Sequence, residues 1–278
     1  MIDILLKFAN KAGKQLKRQR KHLNILYNKD SSISSMVTSE DLSVSNMFEK
    51  IIKKYFSHLN HMVIDEEKIS SEKDIFSKIK QTEYQFVIDP IDGTIQYANS
   101  HPLYGISIGV YKNARPLLGI IYLPELGELT YFDGKKAYWV QNAFSKKEIK
   151  QEILPNTKPS FPIIFGHPWL WQLSDDFSTS KALFLDYYSA VSQSFYTIIG
   201  KATAYCMYLN LWDIAGTIPI ANYLGMKIYE YGRDKTFDKI SAEFFNDNMS
   251  CKNFCILCYP NEYKKICKLV SAKKSDSR

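Results

Sequence analysis

One stretch of the sequence places two carboxylates directly after an apolar run: Val87-Ile88-Asp89-Pro90-Ile91-Asp92-Gly93-Thr94. The apolar run from Tyr84 to Ile88 predicts a short buried strand. We expect that strand to stop at Asp89, because the residue before a proline avoids the helical region and Pro90 with Gly93 favours a turn. The stretch therefore predicts two acidic side chains at the end of a strand, followed by a glycine and a hydroxyl.

The residue types in this turn suit a divalent cation and a phosphate. Mg²⁺ prefers oxygen ligands in octahedral geometry, and Asp89, Asp92 and the Ile91 carbonyl can supply such oxygens. Because Gly93 has no side chain, a phosphate can approach its backbone and meet the N–H groups at the start of a following helix. Thr94 adds a hydroxyl that can orient a water molecule. Two acids in a turn are often only solvated, so the interpretation depends on the flanking strand, proline and glycine.

Two further acidic motifs lie at a distance from this turn. Asp65-Glu66-Glu67 follows the short apolar run Met62-Val63-Ile64, and Trp212-Asp213 opens an apolar stretch that we expect to be helical through Leu224 and to end at Gly225. Asp213 is either a simple helix cap or an acid that projects into a cleft. If the fold gathers these acids with Asp89 and Asp92, their mutual repulsion requires a cation.

The three motifs together resemble the inositol monophosphatase family of Mg²⁺-dependent, lithium-sensitive phosphatases. Asp89-Pro90-Ile91-Asp92-Gly93-Thr94 is similar to its signature, Asp65-Glu66-Glu67 to its upstream Gly-Glu-Glu, and Trp212-Asp213-Ile214-Ala215-Gly216 to its downstream Trp-Asp motif. A Thr-x-x-Asp element of the family matches Thr38 and Asp41. The resemblance covers nearly the whole chain and is thin from about Lys146 to Asp186.

The resemblance implies a fold, a mechanism and a set of site residues. The fold is an α/β layered αβαβα sandwich of the sugar-phosphatase type, with an antiparallel or mixed sheet in the N-terminal half. Two or three Mg²⁺ ions activate a water molecule that attacks a small phosphorylated substrate. The implied metal ligands are Glu66, Asp89, the Ile91 carbonyl, Asp92 and Asp213. The implied catalytic residues are Glu66, Thr94 and Asp41, where Asp41 orients Thr94. The implied substrate or phosphate contacts are Gly93, Thr94 and Asp213.

Composition and charge agree with a globular enzyme. The chain has 278 residues, 45% of them hydrophobic and 23% charged, and carries a formal net charge of +7. We interpret the basic run at Lys14, Lys17, Arg18, Arg20 and Lys21 as a solvated helix face rather than a nucleic-acid patch, because no aromatic platform accompanies it. The absence of a long apolar run and of a signal layout predicts no membrane span and a cytoplasmic protein. The resemblance implies a homodimer.

The order of local patterns predicts two halves. Residues 2 to about 27 form an amphipathic helix, the polar segment 28–35 a loop that can act as a lid, and the segment from Ser39 to about Phe56 a second helix. Frequent prolines between Gln151 and Pro168 indicate a linker. We therefore expect an N-terminal α+β half, residues 1–150, with most metal ligands, and a C-terminal α/β half, residues 151–278, with Asp213 and the substrate pocket.

The substrate pocket departs from that of inositol-specific members of the family. Those members carry a Glu shortly before the Trp-Asp motif, where this chain has Tyr205-Cys206-Met207-Tyr208. The aromatic residues of the region are Tyr187, Tyr188, Phe195, Tyr196, Tyr205 and Tyr208. We expect them to be core residues, and the alternative is a ring-bearing substrate. Inositol or sugar phosphates, a 3′(2′),5′-bisphosphate nucleotide and histidinol phosphate all stay open as substrates.

Three other interpretations compete with this one. Haloacid-dehalogenase-like phosphatases use Asp-x-Asp-Gly-Thr, which has one residue fewer between its acids. Cys251, Cys255 and Cys258 have a spacing known from iron–sulfur ligands, but Phe254 to Tyr259 predicts a buried strand on which residues three apart face opposite sides. A phosphatase-like binding or regulatory protein with an intact metal site is the non-enzyme alternative.

Overall fold

The protein is described by a computed structural model over residues 1–20, 25–28, 36–69, 74–166, 182–233 and 235–271. The helices are α1 (Ile2–Gln19), α2 (Ser39–Phe56), α3 (Ile75–Gln81), α4 (Thr94–Ala98), α5 (Ala190–Ile198), α6 (Leu211–Ile214), α7 (Thr217–Tyr223) and α8 (Pro260–Ser271). The strands are β1 (Ile25–Asn28), β2 (Met36–Thr38), β3 (His61–Asp65), β4 (Tyr84–Asp92), β5 (Gly105–Lys112), β6 (Arg115–Leu123), β7 (Glu128–Phe132), β8 (Ala137–Gln141), β9 (Ile149–Glu152), β10 (Ile163–Gly166), β11 (Leu183–Leu185), β12 (Ala204–Met207), β13 (Lys227–Glu230), β14 (Lys235–Thr236) and β15 (Cys255–Cys258).

Two large sheets organise the described residues. The first has seven strands in the order β3-β4-β5-β6-β7-β8-β9, with β3 and β4 parallel and the other neighbours antiparallel. The second has six strands in the order β11-β10-β12-β15-β13-β14 and mixes parallel with antiparallel pairs. The first sheet ends at Glu152 and the second begins at Ile163, so strands of both sheets reach into the predicted linker from Gln151 to Pro168. The division into two halves stays a prediction.

Helices cover both faces of the first sheet because β4 alternates its side chains between two cores. Phe86 and Ile88 belong to the core that contains Phe8 of α1 and Phe48 of α2. Val87 belongs to the opposite core, whose members come from α5, α6 and α7 and from the second sheet. A third core joins the outer face of the second sheet to α8. The layers are therefore helix, sheet, helix, sheet and helix, which confirms the predicted αβαβα sandwich.

Two boundaries at the N-terminal end differ from the sequence prediction. Helix α1 ends at Gln19, and residues 25–28 form a strand, so the prediction of a helix to residue 27 was wrong for residues 25–27. Residues 21–24 lie outside the described residues. The chain leaves the helix where the Arg20 guanidinium binds Glu125 at 2.9 Å and also donates to the Tyr97 carbonyl. Residues 29–35 of the predicted loop lie outside the described residues. Helix α2 is confirmed, and Thr38 is its N-cap.

The predicted helix from Trp212 to Leu224 is broken in two. Pro219 has no N–H group and cannot bond the Ala215 carbonyl four residues before it, and the Tyr111 hydroxyl donates to that carbonyl at 3.1 Å instead. The Gly216 N–H donates to Ser107 Oγ at 3.0 Å. The break therefore exchanges helical hydrogen bonds for bonds to β5.

Three cysteines of the C-terminal region, Cys251, Cys255 and Cys258, are buried as predicted. Cys255 and Cys258 both lie on β15, but Cys255 belongs to the core between the sheets and Cys258 to the core under α8. Opposite faces of one strand cannot hold a common cluster, so these thiols pack as small apolar groups. Across the described ranges, the helices are too short or too polar to cross a membrane.

Candidate active site

A bulge at the end of β4 brings Asp89 and Asp92 to the same cleft. Asp89 pairs with Ser107 and Asp92 with Gly105, so three steps along β4 correspond to two along β5. In a regular strand, residues three apart face opposite sides, and the extra residue of a bulge changes that relation. The sequence predicted that the strand stops at Asp89. That prediction was wrong, because the strand continues to Asp92. Gly93 then turns the chain into α4 with a left-handed φ of 78°.

Asp213 reaches the same cleft from the start of α6. Its carboxylate accepts a hydrogen bond from the Asn210 N–H at 2.7 Å, which closes a capping box at that helix end. One carboxylate oxygen from each of Asp89, Asp92 and Asp213 lies within 4.8 Å of the other two. Asp213 is therefore both a cap and an acid of the cleft, and the sequence had left these two roles as alternatives.

Glu66 joins this group from the end of β3. Its N–H donates to the Ile88 carbonyl at 3.3 Å, which fixes the residue beside β4. Its carboxyl lies close enough to that of Asp89 to raise the pKa of Asp89. A cavity of about 200 Å³ is lined by Glu66, Asp89, Ile91, Asp92, Gly93, Thr94, Ile95, Gln96, Tyr188, Asn210 and Asp213. The fold thus brings every predicted metal ligand to one cavity.

The electrostatics of this cavity fit a hard divalent cation. Burial, followed by the charges of Glu66, Asp92 and Asp213, raises the pKa of Asp89 well above its usual range. Burial, followed by the charges of Asp92 and Glu66, also raises the pKa of Asp213. Asp89 Oδ1 is buried and has no hydrogen-bond partner. Such a group is costly without a positive charge that its oxygens can bind, and an all-oxygen ligand set suits Mg²⁺.

The start of α5 holds Asp92 in place. Its carboxylate accepts hydrogen bonds from the hydroxyl of Ser189 and from the N–H groups of Ala190 at 3.1 Å and Val191 at 2.9 Å. Burial raises the pKa of Asp92 to about 6, while the bonds from Ser189 and Val191 oppose that rise. Sequence reasoning missed Ser189, although a serine directly before an apolar helical run is a capping signal.

Asp41 and Thr94 do not form the expected hydrogen bond with each other. Asp41 accepts from the N–H and the hydroxyl of Thr38, the N–H bond being 2.7 Å long. Thr94 Oγ1 donates to the Ile91 carbonyl at 3.0 Å. Burial raises the pKa of Asp41 to about 8, and the bonds from Thr38 oppose the rise. The orientation of Thr94 therefore comes from its own turn, and the catalytic roles of both residues stay predictions.

The aromatic residues near the cavity divide into two groups. Phe195 and Tyr205 are buried, and Tyr187 and Tyr196 pack against Phe165 with ring centroids 4.8 Å and 6.5 Å away. The expectation of core residues is confirmed for this group. It was wrong for Tyr188 and Tyr208, whose exposed fractions are 58% and 64%.

Comparisons with known proteins agree with this fold. Residues 1–249 match the model of the inositol monophosphatase family. A fructose-1,6-bisphosphatase/inositol-1-monophosphatase of Aquifex aeolicus is 33% identical over 103 residues, which are 37% of this chain and 33% of the relative. The Nus factor SuhB of Haemophilus influenzae is 28% identical over 163 residues, which are 57% of this chain and 58% of the relative. The chain thus spans from one third to somewhat over half the length of these relatives.

A solved structure extends the likeness to the whole fold. An IMPase/NADP phosphatase complexed with Mg²⁺ and phosphate superposes with a TM-score of 0.75, at 17% identity, over 98% of this chain and 95% of the other. The layered sandwich and its acidic cleft therefore define a protein of the sugar-phosphatase type. The chain belongs to the inositol monophosphatase family.

Proposed function

We propose that this protein is a Mg²⁺-dependent phosphomonoester hydrolase that acts on a small phosphorylated substrate. The observation that carries the proposal is the set of three carboxylates, with oxygens within 4.8 Å of one another, in a cavity that also exposes the Gly93–Thr94 turn. Family membership supports a phosphatase, and the Mg²⁺ and phosphate in the related solved structure support the cofactor and the kind of ligand.

Different residues of the cavity would bind the metal ions and the phosphate. Glu66, Asp89, the Ile91 carbonyl, Asp92 and Asp213 would hold two or three ions. When bound, Mg²⁺ neutralises these acids, polarises a phosphoryl group and lowers the pKa of a water molecule. The first N–H groups of a helix lack partners within that helix, so the start of α4 at Gly93 and Thr94 suits the phosphate oxygens.

Protein side chains position the reacting groups. Thr94 keeps its hydroxyl beside the Ile91 carbonyl at 3.0 Å, where it can accept a hydrogen bond from a water molecule. Glu66 reaches the cleft from the end of β3 and can accept a proton from the same water. The three hydrogen bonds from α5 fix Asp92, so little rearrangement is needed when substrate binds.

Phosphate release tests the proposal. We would assay inositol 1-phosphate, fructose 1,6-bisphosphate, adenosine 3′,5′-bisphosphate and histidinol phosphate, with Mg²⁺ and with EDTA. We expect Mg²⁺-dependent release that the Asp89→Asn variant loses while it stays folded. Asp247→Asn is the matched control, because Asp247 is an exposed carboxylate outside the cavity. Full turnover by Asp89→Asn would falsify the assignment of the metal site.

A regulatory protein is the second candidate. The observation that favours it is a relative named as a Nus factor, 28% identical to this chain. Both candidates require the metal site, so the assay must also measure binding. Mg²⁺ binding by calorimetry without release from any ester would favour the regulatory protein. We also propose a homodimer, which light scattering of the purified protein tests directly.

A further inference from the structure

Tyr188 has a backbone conformation that tyrosine rarely adopts. Its φ is 52°, in the left-handed region, and its side chain is 58% exposed. Glycine takes this region without steric cost, whereas a bulky side chain there is an outlier. Such strain persists only where surrounding contacts enforce it, and it is concentrated at ligand sites. The position therefore needs an explanation that core packing does not give.

The site itself enforces this conformation. The Tyr188 N–H donates to Asp186 Oδ1 at 2.7 Å, and the carbonyl of Tyr187 accepts from Gln96 Nε2 of α4 at 3.0 Å. On the other side, Ser189 donates to the Asp92 carboxylate. Both neighbours of Tyr188 are thus tied to the segment that carries the acidic cleft. The chain between them has little freedom, and the exposed ring stays beside the cleft.

Two cavities have Tyr188 as a shared lining residue. Tyr188 lines the acidic cavity and also a second cavity of about 160 Å³, which Tyr208 lines as well. Tyr208 is 64% exposed and is supported from behind by Phe254, with ring centroids 5.3 Å apart. A phosphoester with its phosphate in the acidic cavity would extend its alcohol past Tyr188 toward Tyr208.

We propose that Tyr188 determines specificity, and that with Tyr208 it selects a phosphomonoester whose alcohol carries a planar aromatic or heteroaromatic ring. This inference rests on the proposed phosphatase function and names its substrate class. Aromatic side chains stack on planar rings without requiring particular hydrogen bonds. The strained backbone of Tyr188 then has a function, because it holds the aromatic ring where the two cavities meet.

The polar residues of the second cavity argue against selection of a polyol. Asp186 Oδ1 accepts from the Tyr188 N–H at 2.7 Å, and Gln193 Oε1 accepts from the Tyr187 N–H at 3.3 Å. Recognition of a polyol needs several acceptors directed at its hydroxyls. Each of these side chains thus directs one acceptor at the backbone of the Tyr187–Tyr188 loop, while the exposed rings of Tyr188 and Tyr208 supply aromatic surface to the cavity.

A matched pair of esters tests the inference. Adenosine 3′-monophosphate carries a base, and methyl β-D-ribofuranoside 3-phosphate has a methoxy group in its place. For each we would measure kcat/KM with Mg²⁺, and the Kd by calorimetry. Stacking on one aromatic side chain predicts about a 5- to 150-fold preference for the adenosine ester in the wild type. The same ratio is expected for Tyr188→Phe, which keeps the ring.

Tyr188→Gly is the decisive variant, because glycine fits a φ of 52° and the fold should not suffer. We expect its thermal midpoint to be equal to or above the wild-type value, and its ratio between the esters to fall to about one. Tyr55→Ala, which removes an exposed tyrosine of α2 outside both cavities, should keep the wild-type ratio. An equal loss for both esters would show a structural role and overturn the inference.

The outcomes separate this inference from the proposed function. Equal kcat/KM values for the two esters in the wild type overturn the role of Tyr188 and leave the phosphatase intact. If neither ester is hydrolysed, the Kd values decide: a preference for the adenosine ester that Tyr188→Gly loses supports the inference. Equal Kd values, or binding of neither ester, overturn it. Hydrolysis of inositol 1-phosphate decides separately whether the protein is a phosphatase.

Discussion

Replacing Gly216 with alanine should move Asp213 out of the metal site. A Cβ on Gly216 would lie 2.8 Å from the carbonyl carbon of Ile120, closer still to its oxygen, and 3.1 Å from the oxygen of Ile108. Ordinary contact begins at 3.4 Å, and all three atoms belong to the backbones of β5 and β6. These atoms cannot rotate away as a side chain can, so the segment that carries Asp213 must shift.

The size of that shift sets the expected effect. Overpacking of this kind costs about 1–3 kcal/mol of the free energy of unfolding. A displacement of about 1 Å in a catalytic group can cost about 10²-fold in rate. We therefore expect Gly216→Ala to fold with reduced stability, to bind Mg²⁺ more weakly and to lose most of its phosphate release.

Gly225→Ala separates the loss of stability from the displacement of the site. Gly225 ends α7 with a φ of 78°, and a Cβ there would meet nothing within 4 Å. Left-handed strain costs an alanine about 1–2 kcal/mol, so this control loses a similar stability without moving Asp213. Urea denaturation and calorimetry with Mg²⁺ measure both quantities. Wild-type Mg²⁺ affinity in Gly216→Ala, or an equal loss of affinity in Gly225→Ala, would refute the reasoning.

Three other substitutions test contacts of the site. Asp89→Asn removes one of the mutually repelling buried acids, so it should raise the thermal midpoint of unfolding in EDTA. It should also reduce the further increase in the midpoint that Mg²⁺ causes. An undiminished increase with Mg²⁺ in scanning calorimetry would contradict this prediction. Ser189→Ala removes the α5 cap that binds Asp92, so it should lower the free energy of unfolding by about 1 kcal/mol and weaken Mg²⁺ binding. Ser194→Ala on the same helix is the control. It removes a buried hydroxyl without a hydrogen-bond partner and should lower the free energy of unfolding by less. Equal losses in the two serine variants would argue against the cap. Thr38→Ala removes the α2 cap and one donor to Asp41; urea denaturation should show a loss of about 0.5–2 kcal/mol, and an unchanged midpoint would contradict it.

The sequence alone determined the parts of the site that are local. The strand, proline and glycine around Asp89 and Asp92 are a short-range pattern, and such patterns fix the nearby backbone. The same holds for the buried cysteines of β15. The family resemblance added Glu66 and Asp213, which local chemistry did not distinguish from loop and cap acids.

Only the tertiary structure decided which distant groups meet. The hydrogen bond that Ser189 donates to Asp92 spans 97 residues, and the one that the Gly216 N–H donates to Ser107 spans 109. Neither hydrogen bond can be predicted from the local pattern of residues, because each depends on the packing of a helix against a sheet. For the same reason the sequence did not show the break between α6 and α7, nor which tyrosines face the cavity. Tyr187 and Tyr188 are neighbours in the chain, yet Tyr187 packs against Phe165 and Tyr188 is exposed, because contacts from Gln96 and Asp92 in distant elements hold the loop that carries them.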